Sequence, residues 1–264
     1  MKIIGMTTVR NEAWIVRDTL DLWSEVCPDG IYIYCDASTD ATPALCRSHP
    51  NVKEVLESNH YWEDRAGMEP YKRQALFNSV ARFLTPADWV VMFDADEHLE
   101  LDSWHGECLD DLGVVAVDCR SWDMYMTAED LLTDRRPVEY CPSEYVPGRG
   151  HHYRHRQWCS TAYRQFPFFL RFDPRWIWKF PNQHMPAWDP SRGLRLVHGS
   201  VKHWSKGHSE LIYDRKAEYY RREWKGTEPG MTPSHQLGKG VRTEKPYLDD
   251  VGQPLQKWED RQKV

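Results

Sequence analysis

At 264 residues the chain is long enough to bury a full core as one large domain or a domain with an appendage. A formal net charge of −6, with 28% charged and 41% hydrophobic residues, is an ordinary soluble-globular balance and tells against a general nucleic-acid binder. No run of 18 apolar residues exists, which excludes a spanning helix, and Met1–Met6 is too short and too soon polar for a signal peptide.

In chain order, Lys2–Met6 reads as a buried strand, and Asn11–Val26 carries Trp14, Ile15, Leu20, Leu22, Trp23 and Val26 at roughly helical spacing. Pro28-Asp29-Gly30 is a turn and Ile31–Cys35 a second strand. Ser38 or Thr39 is placed to cap a helix running to about Arg47. Residues 51–56 form a third strand, Glu69–Leu84 a helix ended by Pro86, and Trp89–Phe93 a fourth strand. Val114, Val115 and Val117 mark a fifth. This alternation predicts an α/β fold with a mostly parallel sheet flanked by helices. Beyond residue 122 the pattern loosens. A late strand over Leu194–Trp204 and a helix over Ser209–Trp224 stand out, and Gly, Pro and mixed charge dominate after 225. The expected organisation is therefore a first half over 1–122, an irregular second half of the same domain over 123–224, and an extended tail over 225–264.

In open parallel sheets ligands bind beyond the carboxyl ends of the strands. Three such ends are polar here: Thr7–Glu12, Asp36–Asp40 and Asp94–Glu97. Asp94 and Asp96 are two residues apart, so in extended backbone both carboxylates face one side. Paired hard oxygen ligands with open positions suit Mg²⁺ or Mn²⁺, whose remaining positions are filled by water and substrate phosphates. The competing reading of an Asp-x-Asp at a strand end is a cap for the next element.

Arg10-Asn11-Glu12 after the first strand, Asp36-Ala37-Ser38-Thr39-Asp40-Ala41-Thr42 after the second, and Phe93-Asp94-Ala95-Asp96-Glu97-His98 after the fourth together resemble the family-2 glycosyltransferases of the GT-A fold. The likeness is closest to the branch with an Asp-Ala-Asp-Glu motif and covers roughly residues 1–120. Downstream, His203-Trp204-Ser205-Lys206, Ser209-Glu210 and Lys216 look like that family's His-Tyr…Ser-x-Glu…Lys signature.

The resemblance implies a GT-A (Rossmann-like) fold and a metal-dependent transferase. Such an enzyme moves a hexose from a nucleoside-diphosphate sugar to a hydroxyl acceptor. Asp36 would bind the base or ribose, and Thr8, Arg10 and Glu12 would line the base end. Arg73 would lie beside the nucleotide, and Lys206 would reach the phosphates. Asp94 and Asp96, with His203 as third protein ligand, would hold Mn²⁺ or Mg²⁺, provided that a partner orients the second ring nitrogen of His203. Each residue also has a plainer reading: Asp36 as a helix cap, Arg73 as a solvated helix residue, His203 as a core histidine.

An inverting enzyme further needs a base near the acceptor hydroxyl. Glu129-Asp130 resembles the acidic pair that starts the acceptor-side helix in inverting relatives, although acids in a first helical turn also favour the macrodipole. Asp189, Glu97, Asp123 and His184 compete for the role, and a retaining enzyme would need none of them.

The acceptor is least defined by the sequence. Between Arg135 and Lys179 nine basic residues face three acidic ones, which fits an anionic carbohydrate polymer or, as a minority reading, a hydroxylated base in DNA. Trp122, Tyr125, Trp158, Trp176, Trp178 and Trp188 are candidates for an acceptor platform or for core. Two other functions use the same acidic site. One is a nucleotidyl- or phosphotransferase, against which no Gly-x-x-x-x-Gly-Lys loop occurs; the other is an inactive nucleotide-sugar-binding module. Seven dispersed cysteines without a Cys-x-x-Cys pair predict a reduced, cytoplasmic protein with buried thiols.

Overall fold

A computed structural model describes residues 1–60, 65–127, 158–159, 164–179, 182–187, 193–206, 241–242, 245–246 and 253–260. The chain divides into two compact units. The first comprises 1–120, 142–145 and 165–201, and the second 121–141, 146–164 and 202–264.

In the first unit, β1 (Ile3–Val9) pairs in parallel with β2 (Ile31–Asp36) on one side and β4 (Trp89–Met92) on the other. Next to β2 lies β3 (Val52–Ser58), also parallel. β8 (Arg164–Arg171) adds antiparallel to β4, with Trp89 opposite Arg171, and lies between β4 and β6 (Val114–Thr127). β5 (Glu97–Leu99) pairs with β11 (Leu194–Lys206). The sheet order β3-β2-β1-β4-β8-β6 is that of an α/β, Rossmann-like fold of the GT-A kind, mostly parallel and flanked by a few helices.

Each sheet face has its own helices. α1 (Val16–Val26) lays Val16, Leu20 and Trp23, four and three residues apart, against Val9, Ile31, Ile33, Val91 and Phe93. α2 (Thr42–Ser48) joins the same face through Cys46. On the opposite face α3 (Arg65–Ala81) packs Leu76, Phe77 and Val80 against Ile4, Met6, Tyr34, Val90 and Met92. β1 is hemmed in at Gly5, where a Cβ would lie 2.9 Å from Phe93 Cε1 and 3.2 Å from Ile31 Cγ1. Gly30 closes the α1–β2 turn at φ 124°, a conformation that a side chain disfavours.

Several boundaries differ from those expected. α1 begins at Val16 because the Glu12 carbonyl accepts from Ile15 N and Val16 N, so residues 12–15 form an entry turn. The residue before α2 is Ala41, which has no side-chain cap; Asp40, one residue earlier, accepts from Thr42 N at 2.9 Å, and Ser38 and Thr39 are used elsewhere. α3 starts four residues before Glu69 and carries Pro70 inside it.

The second unit contains β7 (Trp158–Cys159), antiparallel to the distal part of β6, with Met124 opposite Cys159. β13 (Gln256–Lys257) is antiparallel to β7, and β12 (Val241–Arg242) is parallel to β6. β9 (Ile177–Lys179) and β10 (Asn182–Ala187), both in the first unit, form a separate two-stranded sheet. Cys27, Cys35, Cys46, Cys119 and Cys159 are buried free thiols. No helix among the described residues is long and apolar enough to cross a membrane.

Candidate functional site

The loops after β1 and β2 are tied to each other. Asn11, in the left-handed region at φ 51°, accepts from Thr39 N at 2.8 Å through its side-chain oxygen, and its own N–H donates to Ser38 Oγ at 3.1 Å. Glu12 N donates to Thr42 Oγ1, and Ala13 N to Asp40 Oδ2. The Glu12 carboxylate accepts from Trp14 Nε1 at 2.7 Å, so Glu12 also shapes the entry to α1.

Under these strand ends, α3 presents Glu69, Lys72 and Arg73, spaced to share one helical face. Lys72 Nζ donates to Asp36 Oδ2 at 2.6 Å, and both side chains are buried. The other oxygen, Asp36 Oδ1, is buried and has no hydrogen-bond partner among the described residues. The Asp36 carboxylate is therefore committed to Lys72 rather than to a helix terminus. Glu69 Oε1 accepts from Thr8 Oγ1 at 3.0 Å and from Arg73 Nε at 2.9 Å. Arg73 Nη2 then donates to Asp94 Oδ1 at 2.9 Å. Burial opposes the charge of Arg73, but the carboxylates of Glu69 and Asp94 outweigh it and hold the guanidinium above its ordinary pKa. Arg73 is buried, not a solvated helix residue.

The loop Asp94–Glu97 is closed on itself. Asp94 N donates to Glu97 Oε2 at 2.9 Å, and Glu97 N to the Asp94 carbonyl at 3.1 Å. From the other face, Thr19 Oγ1 donates to the Ala95 carbonyl and lies 2.9 Å from His98 Nε2, while Trp23 Nε1 donates to the Glu97 carbonyl at 2.8 Å. The Asp94 side chain is 35% exposed, whereas Asp96 is buried at 9%. α3 thus engages the carboxyl ends of β1, β2 and β4 through two groups, Lys72 with Asp36 and the chain from Thr8 through Glu69 and Arg73 to Asp94.

In the second unit His203 Nδ1 and Asp123 Oδ1 are 2.6 Å apart, which supplies the orienting partner that a metal-ligating histidine requires. Asp123, a competitor for the base, is thereby engaged with His203. Among the described residues no three His, Cys, Asp or Glu side chains gather as a metal cluster. The chemistry of Asp94 and Asp96 nevertheless fits Mg²⁺ or Mn²⁺, which need only one or two carboxylates beside substrate phosphates and water.

His184 lies on β10 and Lys206 at the end of β11, but their side chains, together with Glu129, Asp130, Asp189 and the expected helix over 209–224, lie outside the described residues. Four of the platform candidates, Trp122, Tyr125, Trp176 and Trp178, are buried and pack as core. Of the basic zone, Arg171 is taken up by the carbonyls of Leu109, Asp111 and Val114 and lies over the Trp89 ring. Sequence reading missed Glu69, Lys72, Thr19 and Trp23. The i, i+3, i+4 spacing of Glu69, Lys72 and Arg73 on an otherwise apolar-faced helix was the available signal.

No family model matches this chain. Two uncharacterized proteins, from Mycobacterium bovis and Mycobacterium tuberculosis, are each 35% identical over 109 residues, covering 39% of this chain and 25% of theirs. The chain thus spans about a quarter of the length of these curated relatives. Among solved structures, glucosyl-3-phosphoglycerate synthase from Mycobacterium tuberculosis aligns over 46% of this chain and 44% of its own, at 19% identity and a TM-score of 0.30. S. aureus TarS aligns over 91% and 70%, at 10% identity and a TM-score of 0.37. GalNAc-T7 with UDP, GalNAc and Mn²⁺ aligns over 87% and 52%, at 12% identity and a TM-score of 0.40.

Proposed function

We propose that this chain is a metal-dependent glycosyltransferase that moves a hexose from a nucleoside-diphosphate sugar to a hydroxyl acceptor. The observation that carries the reading is a pair of charged groups at three strand ends, Lys72 with Asp36 and the chain from Thr8 through Glu69 and Arg73 to Asp94, both anchored on α3. Asp36 Oδ1, buried and without a hydrogen-bond partner among the described residues, supports the reading as an oxygen able to accept from a ligand hydroxyl or base.

In this reading residues 1–122 hold the donor and 123–224 complete the acceptor side. Thr8, Arg10, Glu12 and Asp36 line the base and ribose, and Asp94 and Asp96 hold the cation. His203 ligates through Nε2, because Nδ1 is turned to Asp123. Arg73 fixes the Asp94 carboxylate and contributes positive charge beside the nucleotide. Lys206 reaches the phosphates. Asp94 and Asp96 would hold a divalent cation, which would supply positive charge against that developing on the leaving diphosphate. Glu129, Asp130 and His184 are the candidates to take the acceptor proton, and the acceptor is a carbohydrate or other hydroxyl-bearing polymer.

The test is a mass-spectrometric hydrolysis screen of UDP-, GDP- and dTDP-hexoses with Mn²⁺ or with chelator. Slow metal-dependent hydrolysis of one donor is expected. Silence on every donor, with turnover of nucleoside triphosphates, would sink the proposal.

A further inference from the structure

We propose that Thr19 and Trp23 of α1 are positioning residues for Asp96, and that the Thr19 hydroxyl sets the affinity of the site for its divalent cation. This rests on the donor-site reading above. The carbonyls on either side of Asp96, those of Ala95 and Glu97, both accept from α1, one from Thr19 Oγ1 and the other from Trp23 Nε1. Thr19 and Trp23 are four residues apart and so leave the helix on the same face, directly under the loop. Both side chains are buried, Thr19 at 1% and Trp23 at 0% exposure.

The direction of the Asp96 Cα–Cβ bond follows from the peptide planes before and after it; holding the Ala95 carbonyl fixes the first, and holding the Glu97 carbonyl, one peptide further on, limits how far the second can turn. Proton accounting sharpens the role of Thr19. A hydroxyl has one proton and two lone pairs. Given to the Ala95 carbonyl, that proton leaves a lone pair facing His98 Nε2 at 2.9 Å. One side chain thus ties the residue before Asp96 to the residue two after it.

A buried hydroxyl is costly without partners, and Val would fill the same space beside Leu20 and Trp23. The polar choice therefore has partners to serve: the Ala95 carbonyl, His98 Nε2 and, at a longer 3.3 Å, the Ile15 carbonyl of its own helix. Where few protein groups hold a cation, losing an outer partner that orients one of them costs about 10–100-fold in affinity or activity.

The experiment measures Mn²⁺ binding by electron paramagnetic resonance, with UDP, GDP or dTDP present, for the unmodified chain, Thr19→Val, Thr19→Ser and Trp23→Phe. Thermal midpoints are recorded alongside. Thr19→Val is expected to raise the Mn²⁺ dissociation constant about 10–100-fold, and Thr19→Ser, which keeps the hydroxyl, to restore it. Trp23→Phe, which removes the indole N–H, weakens Mn²⁺ in the same sense and serves if Thr19→Val fails to fold. A lowered thermal midpoint with unchanged Mn²⁺ affinity in both variants overturns the inference alone. Absence of Mn²⁺ binding by the unmodified chain with all three nucleotides overturns the donor-site reading and this inference with it.

Discussion

Asp96 and Arg73 differ in what their loss should expose. Asp96 is held by its flanking main chain, so Asp96→Asn keeps shape and volume while removing the charge on which a cation depends. The expected outcome is loss of turnover by at least two orders of magnitude, with an unfolding midpoint in urea close to that of the unmodified chain. Full activity in that variant would mean that the cation is held elsewhere. Arg73→Ala is expected to do the reverse to stability. It strips the cation from between Glu69 and Asp94 and leaves two buried or half-buried carboxylates facing each other. Breaking a buried pair in this way costs about 3–5 kcal/mol, read as a lowered urea midpoint at unchanged slope.

His49 gives the acid side of the stability profile a local origin. Its Nδ1 accepts from Asn51 N at 3.2 Å, so Nε2 carries the ring proton and donates to Asp21 Oδ1 at 3.1 Å. Burial, partly offset by Asp21, holds its pKa below the ordinary 6.5. The unfolded chain therefore binds the proton first, and stability from this residue is present above about pH 6.5 and is lost as pH falls through the folded pKa. Thermal midpoints measured from pH 7.5 to 5 should fall, and His49→Gln should flatten that part of the curve. A curve unchanged by the substitution would assign the acid sensitivity to other groups.

At the scale of elements, α3 is a rack for the strand ends, and its charges are matched to fixed partners. Lys72→Met leaves the buried Asp36 carboxylate uncompensated and should cost about 3–5 kcal/mol, whereas Lys72→Met with Asp36→Leu should recover most of that loss. A double variant as unstable as the single one would show that Lys72 supports the fold through its packing alone.

The element scale is also where sequence reading succeeded and where it ran out. Alternating apolar runs made β1, β2, β4 and α1 legible because each buries one continuous set of side chains against the sheet. The start of α3 was not legible, since Pro70 favours a first helical turn and here sits in the second, where it leaves one helical hydrogen bond unmade. β5 is three residues long and owes its existence to β11, nearly a hundred residues later, so no local pattern announces it. Asp36, Asp94 and Arg73 were named from motif order, but their mutual geometry through Glu69 and Lys72 needed the fold. A charged residue on a helix reads as solvated until its tertiary partner is known.

For the molecule as a whole, the first unit cannot be cut where the regular sequence pattern ends. β8 lies between β4 and β6, and β11 pairs with β5, so the first unit draws on residues 165–201 to complete its sheet. A fragment of residues 1–122 would leave Trp89, Val90 and Val91 with one open strand edge and no Phe168 or Phe169 over them. Such a fragment is expected to aggregate or to show no cooperative unfolding by circular dichroism. A cooperative transition in the fragment would show that β8 is dispensable to the sheet.

The same insertion has a consequence measured in time. Roughly 80 residues separate Trp89 from its partner Arg171, and at 5–20 residues per second a ribosome needs about 4–16 s to deliver the second after the first. Throughout that interval the nascent chain carries an apolar strand, Trp89–Met92, whose outer edge has nothing of its own to pair with. Production at a rate that crowds many such chains together should therefore favour inclusion bodies, and slower synthesis should favour recovered folded protein.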